Sequence, residues 1–265
     1  MTHSLKPVFI SHGGGPMPLL GDEGHKEMVA SLKQLAADIP KPDAIIVVSA
    51  HWEEHIATIT SGPAPELIYD YRGFPKESYD IQYPCAGEPA LANELFEVMR
   101  AAGMDAKLDD DRGFDHGAFV PLKIMYPEAD IPCVQLSLLS SLDPSSHIEI
   151  GKALRTLSRQ NVLLLGSGFS FHNLSAFFSD ATADSQQKNL AFEGWLQDVC
   201  ENAVYTESER EQKLINWLDA PAARFCHPRE EHLLPLHVCY GAALSACEKS
   251  ISIRILGKTS SMYVW

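Results

Sequence analysis

No stretch of this sequence approaches the ~20 consecutive apolar residues needed to cross a bilayer, and Met1-Thr2-His3-Ser4 does not open a signal peptide. Positive charge is also scarce. Against 35 Asp and Glu stand 21 Lys and Arg, for a formal net charge of -14. Nucleic acids and anionic membrane surfaces are reached through basic patches, so neither is expected as a partner. The six cysteines form no CxxC pair and sit mostly in apolar contexts, which reads as buried free thiols in a reducing cytoplasm. Gly13-Gly14-Gly15-Pro16 matches neither GxGxxG nor GxxxxGKS, so no nucleotide cofactor is expected. The acidic run Asp109-Asp110-Asp111 lacks the alternation and terminal Glu of a calcium loop. Internal repeats and low-complexity segments are missing as well.

What remains is an ordinary globular composition, 45% hydrophobic and 21% charged, over 265 residues, enough to bury a substantial core. Its organising stretch is Asp43 to Trp52. Ala44 to Val48 is a branched apolar run, too short and too apolar for a surface helix, and reads as a strand buried on both faces. It is expected to end at Ser49-Ala50-His51-Trp52. Pro7 to His12 reads the same way, a strand ending in Ser-His. In open α/β sheets ligands collect outside the carboxyl ends of the strands, and two histidines are delivered there.

Helical spacing of Met28, Leu32, Leu35 and Ile39 predicts a helix over Glu23 to Ile39, completing a βαβ unit. A strand over Ile56 to Thr60 and a Pro- and Tyr-rich loop from Gly62 to Gly87 follow; such loops over a sheet read as substrate walls as readily as surface staples. Helices are predicted over Glu88 to Ala102, from near Phe119, and over Ser145 to Leu157, Gln186 to Val204 and Glu207 to Leu218. Leu214, Ile215 and Leu218 are expected inside. Strands are predicted over Ile131 to Leu138 and Val162 to Leu165, the latter running through Gly166-Ser167-Gly168 toward His172. Pro235 belongs in a first helical turn, so the last helix starts close to His232, with Leu236, Cys239, Tyr240 and Ala243 buried. Ile251 to Leu256 and Met262 to Trp265 form a closing hairpin or edge strands. The pattern predicts residues 1–265 to be one three-layer α/β domain with a central, mostly parallel sheet.

Eleven histidines give the chain its chemistry. Imidazole is the commonest protein ligand for zinc and non-haem iron. His12, His51 and His232 come from three elements and would leave positions open for water or substrate. Taken singly, each reads more readily as a structural histidine; together they point to a metal site. His232 and His237 lie about 140° apart on a helix, so His237 is not expected to bind metal. His116, between Asp115 and Gly117, is a further site candidate. His3, His25, His55 and His147 have no such context and are expected to be solvated.

Five motifs in order carry a resemblance: SHGGGP at 11–16, SAHW at 49–52, IYDYRGFP at 68–75, DHGAFVPL at 115–122 and HPREEHLLPL at 227–236. The chain resembles the single-domain class III extradiol ring-cleavage dioxygenases, the 4,5-DOPA dioxygenase-like family, over nearly its whole length. The resemblance implies a non-haem iron(II) enzyme that opens a catechol ring with molecular oxygen to a muconic semialdehyde; zinc is also found bound in this family. It makes His12, His51 and His232 the ligands. It makes His172 a proton acceptor or, with zinc, a fourth ligand, and His116 a second donor. The wider superfamily uses two histidines and a glutamate, so a third histidine leaves this site one unit more positive. Tyr71, Phe74 and Tyr83 are candidates to stack on the catechol, and Arg72 to meet a substrate carboxylate. Two rivals stand beside this reading, a zinc-dependent hydrolase and a non-enzymatic metal-binding protein on the same fold. The oligomeric state is not legible.

Overall fold

The computed structural model describes residues 5–178 and 182–265, so His3 lies outside the described residues. One eight-stranded sheet runs through the protein. Its strands are β1 (Leu5–Ser11), β2 (Ala44–Glu54), β3 (Ala57–Thr60), β4 (Ala106–Asp109), β5 (Cys133–Leu139), β6 (Val162–Gly168), β7 (Lys249–Ile255) and β8 (Lys258–Val264). The order across the sheet is β4-β3-β5-β2-β6-β1-β8-β7. The central pairings β5/β2, β2/β6 and β6/β1 are parallel, as is β3/β4; β3/β5, β1/β8 and the β7/β8 hairpin are antiparallel. The predicted α/β class and mostly parallel sheet hold.

Helices are α1 (Lys26–Asp38), α2 (Pro89–Ala101), α3 (His116–Met125), α4 (Pro144–Leu154), α5 (Leu174–Phe177), α6 (Ala183–Glu201), α7 (Glu207–Ile215), α8 (Ala223–Cys226) and α9 (Leu234–Ala243). A Cβ on Gly166 would strike Pro235 and Cys239 of α9, whereas the next side chain, Ser167, donates to Gly117 of α3. Successive strand residues point to opposite faces, so α3 and α9 cover opposite sides of β6. Buried on both faces, β2, β5 and β6 are near-continuous apolar runs.

Three differences from the sequence reading matter. Strand β2 does not stop at Ser49 but continues to Glu54, and its pairing with β5 shifts between Val48 and Glu53. Residues 49–52 therefore form a bulge, which re-aims side chains locally. Leu218 is half exposed rather than inside, because α7 stops at Ile215 and a short 3-10 turn at Trp217–Asp219 buries Trp217 instead. His25 and His147 are fully buried, not solvated; His55 is exposed as expected. Smaller shifts include α3 starting at His116 and the half-buried position of Ala243. All six cysteines are free, and only Cys247 is not fully buried.

Candidate metal centre

Ser11 pairs with Gly168 and Ser49 with Ser167, so β1, β6 and β2 end at one level. His12 follows β1 directly, and its backbone N–H donates to the Gly168 carbonyl (2.9 Å). His51 rides on the β2 bulge. His116 opens α3, where a Cβ on Gly117 would collide with the Ser49 hydroxyl oxygen; only glycine lets α3 sit this close to β2. Asp115 locks the same junction by accepting from the Ser49 hydroxyl (2.7 Å) and from the Gln135 amide. Arg112 stacks over the Trp52 ring at 4.4 Å, so the DHG and SAHW motifs interlock. His232 is held just before α9 by its carbonyl, which accepts from Phe169 N–H (2.8 Å) and would collide with any Cβ on Gly168.

Five histidines, His12, His51, His116, His172 and His232, thereby line one cavity of about 300 Å³. Ring centroids lie 4.9 Å apart for His12–His51, 5.3 Å for His12–His232 and 4.9 Å for His51–His232. His51 and His116 are closer, at 3.9 Å. His172 stacks on His232 with centroids 3.4 Å apart and planes 15° from parallel. Ligand atoms of His12, His51 and His116 lie within 4.8 Å of one another, as do those of His172, Glu231 and His232.

Hydrogen bonds fix which nitrogens are free. The Ser167 hydroxyl donates to the Gly117 carbonyl, so its oxygen accepts from His12 Nδ1–H (3.0 Å), leaving the His12 Nε2 lone pair to face the cavity and His51 Nε2. His116 Nδ1–H donates to Asp70 Oδ1 (2.8 Å), and His232 Nδ1–H to Glu231 Oε1 (2.9 Å). Asp70 also lies 3.7 Å from His51 Nδ1, and Glu231 3.4 Å from His172 Nδ1. Each carboxylate thus stands behind two imidazoles, orienting them and supplying negative charge.

Electrostatics follow from burial. Burial, then the neighbouring His232, His116 and His172, pushes His12 well below its ordinary pKa. Burial with His116, His12 and His232 does the same to His51, and burial with His172 takes His232 down to about 3. Burial raises the Glu231 carboxyl, but hydrogen bonds from His172 and His232 outweigh it and hold the pKa far below the carboxylate range. Asp70 is likewise raised by burial and lowered further by hydrogen bonds from the His116 ring and backbone. Neutral imidazoles backed by anions are the form in which histidine binds metal.

The cluster fits a metal. His12 Nε2 and His51 Nε2 face each other at 3.1 Å, close to the ~3.3 Å between two nitrogens bound at ~2.05 Å to one tetrahedral ion. All-imidazole donors suit iron and zinc alike.

Tyr71 and Phe74 line the cavity. Tyr83 lies in the core with its hydroxyl donating to the Tyr126 carbonyl (3.1 Å), and Arg72 is exposed; neither lines the cavity. His237 is buried away from the site, its Nε2 2.9 Å from the Leu214 carbonyl. Asp70 and Glu231 were not singled out from the sequence, although each sits inside a quoted motif.

Comparison with known proteins shows the family. Residues 2–262 match the family model described as the catalytic LigB subunit of aromatic ring-opening dioxygenase. A protein named dioxygenase tasH, from Hapsidospora irregularis, is 44% identical over 90% of this chain and 78% of its own. Proteins named 4,5-DOPA dioxygenase extradiol are 39% identical in Beta vulgaris (89% of this chain, 85% of theirs) and 36% identical in Escherichia coli K12 (90% and 85%). A crystal structure of an uncharacterised Escherichia coli K12 protein superposes with a TM-score of 0.77 at 30% identity over 98% of both chains. Matched in sequence and fold over nearly its full length, the chain belongs to the family of catalytic LigB subunits of aromatic ring-opening dioxygenases, the class III extradiol enzymes.

Proposed function

We propose that residues 1–265 act as one catalytic unit that opens a catechol ring beside its two hydroxyls with molecular oxygen, holding iron(II) through His12, His51 and His232. The observation that carries this reading is the near-equal spacing of these three rings around the cavity end, with the Nε2 atoms of His12 and His51 facing each other. Iron(II), when bound, supplies the electron path between ring and oxygen that zinc lacks.

The chain's own residues handle protons and orientation. His172 is the acceptor for a catechol hydroxyl proton, with Glu231 behind its Nδ1 to stabilise the imidazolium that forms. Its parallel stack on His232 supports this role over that of a fourth ligand. An ion shared by both rings would sit between their planes, where neither lone pair points. His116, fixed through Nδ1–H by Asp70, presents Nε2 to the cavity, where it takes up the second hydroxyl proton and then donates it to oxygen as negative charge develops there. Tyr71 and Phe74 supply flat apolar surface for the ring. Glu231 lies behind His232 rather than beside Nε2, so the third ligand is an imidazole and the carboxylate's charge acts from one layer back.

Anaerobic reconstitution with iron(II), followed by a catechol and oxygen, is expected to consume one oxygen per ring and to produce a yellow semialdehyde. Zinc-loaded protein is expected to bind the catechol without opening it. Ring opening at equal rate by iron-free zinc protein overturns the reading. Anaerobic, zinc-dependent hydrolysis would favour a hydrolase instead.

A further inference from the structure

The polar groups of the cavity are gathered at one end. Beyond the five histidines the walls are Met17, Phe74, Phe169, Phe177 and Leu256, with the backbone of the Gly13–Gly15 turn. Tyr71 contributes only carbon, since its hydroxyl donates to the Ser78 carbonyl at 2.6 Å. Leu174 and Phe178 line the cavity while 58% and 86% exposed, which places them at its mouth. Among the described residues no Lys, Arg, Asn, Gln, Ser or Thr faces this space.

We infer that the substrate is a catechol carrying an uncharged, apolar substituent, alkyl or aryl, rather than an amino-acid or carboxylate side chain. This rests on the dioxygenase reading above. With both ring hydroxyls at the histidine end, a substituent on the far side of the ring meets only carbon. A carboxylate there loses its water and gains no partner, which is costly. The chain's net charge of -14 adds a repulsive field, and the acids nearest the site, Asp70 and Glu231, are already engaged by histidines. An apolar tail has the opposite balance. It covers the walls and then Leu174 and Phe178, which otherwise stand in water, and each methylene buried strengthens binding by ~4-fold. At about 300 Å³ the cavity is at the small end of ligand pockets, ~300–1,000 Å³, and suits one ring with a short tail. Arg72, the candidate partner for a substrate carboxylate, is exposed and outside the lining.

The test is a matched series: 4-ethylcatechol, 4-butylcatechol, 3-(3,4-dihydroxyphenyl)propanoate, dopamine and DOPA. Association constants are read by calorimetry on zinc-loaded protein, and kcat/KM by oxygen uptake on iron-loaded protein. In both, butylcatechol is expected to exceed ethylcatechol by ~10-fold. Ethylcatechol is expected to exceed the propanoate and DOPA by ~10²-fold. Leu174→Arg, at an exposed position that tolerates the change, is expected to narrow the gap between propanoate and ethylcatechol at least several-fold. DOPA, dopamine or the propanoate matching butylcatechol overturns the inference while leaving the dioxygenase reading intact. The expected order of binding with no ring opening by iron-loaded protein does the reverse. Failure of every catechol to bind overturns both.

Discussion

The histidines at the strand ends and those in the helical walls are the same residue under different hydrogen-bond regimes. In the walls both ring nitrogens are occupied. His25 Nε2 accepts from Gly14 N–H (2.9 Å) while its Nδ1–H donates to Asp22 (2.6 Å). His147 Nε2 accepts from Leu139 N–H (3.0 Å) while Nδ1–H donates to the Asp143 carbonyl (2.8 Å). Such rings are neutral brackets holding backbone in place, with no lone pair to offer. At the cavity, His116 and His232 spend Nδ1–H on Asp70 and Glu231 and leave Nε2 uncommitted, while His12 spends Nδ1–H on Ser167 and turns Nε2 only toward His51 Nε2 at 3.1 Å. Burial pushes down the pKa in both sets, so a lowered pKa does not distinguish them. What distinguishes a candidate ligand here is an unspent nitrogen aimed into a cavity.

The sharpest way to break this comparison is to remove one ring from each set. His51→Ala or His232→Ala is expected to lower metal affinity by more than ~10²-fold and abolish turnover, exceeding the usual cost of losing a supporting residue behind a ligand. His147→Ala is expected to leave metal content and turnover unchanged and to lower stability. Metal analysis beside urea unfolding reads both. A wall variant that lost metal, or a cavity variant that kept it, would erase the distinction.

Next in size is His172→Phe, which keeps the flat ring against His232 but removes the proton acceptor. Metal content should stay near one equivalent, and turnover on catechols should drop by ~10²-fold. Loss of metal together with activity would make His172 a ligand. A smaller effect, ~10-fold, is expected for Asp70→Asn, because the amide still accepts from His116 but no longer places a negative charge behind the ring. Wild-type rates in that variant would reduce Asp70 to a structural prop.

The sequence displays some of this and hides the rest for physical reasons. Strands buried on both faces are continuous apolar runs, so β1, β2 and β6, and the histidines beyond them, are legible without coordinates. The β2 bulge is not, because residues 49–52 look like a strand end whether the chain stops pairing or resumes it in a shifted register at Glu53. Strand β4 is only Ala106–Asp109 on a sheet edge, with Leu108 partly exposed, and too short for its alternation to stand out. His25 and His147 read as surface residues beside exposed helices. Their buried role is visible only in Asp22 and Asp143, three and four residues earlier, with which they close helix-entry brackets. Arg72 and Tyr83 share a loop with Tyr71 and Phe74, but loop residues have no period to say which side faces the cavity. Glu231 carries no signal because a carboxylate beside a histidine is common on any surface, and Asp70 carries none because the His116 it serves is 46 residues away. Only the Nδ1 distances give them a role.

The smallest expected effect on catalysis, and a selective test of the wall set, is the pH dependence of His147. Burial lowers its pKa to about 4, partly offset by the hydrogen bond to the Asp143 carbonyl. The unfolded chain takes up this proton near pH ~6.5, and the folded protein only near 4. Between those values the unfolded state binds more protons, so stability rises with pH. The contribution is whole above pH ~6.5 and falls away as pH drops toward 4, by up to ~3 kcal/mol for this one group. Urea unfolding of chelator-treated wild-type protein and His147→Gln at pH 7 and 4.5 isolates the effect, because the other histidines titrate alike in both. The variant is expected to be less stable at pH 7 by ~1–3 kcal/mol, since Leu139 N–H loses its acceptor. The gap should shrink at pH 4.5, where wild type no longer profits from a neutral ring. An unchanged gap would mean that His147 does not titrate in this window.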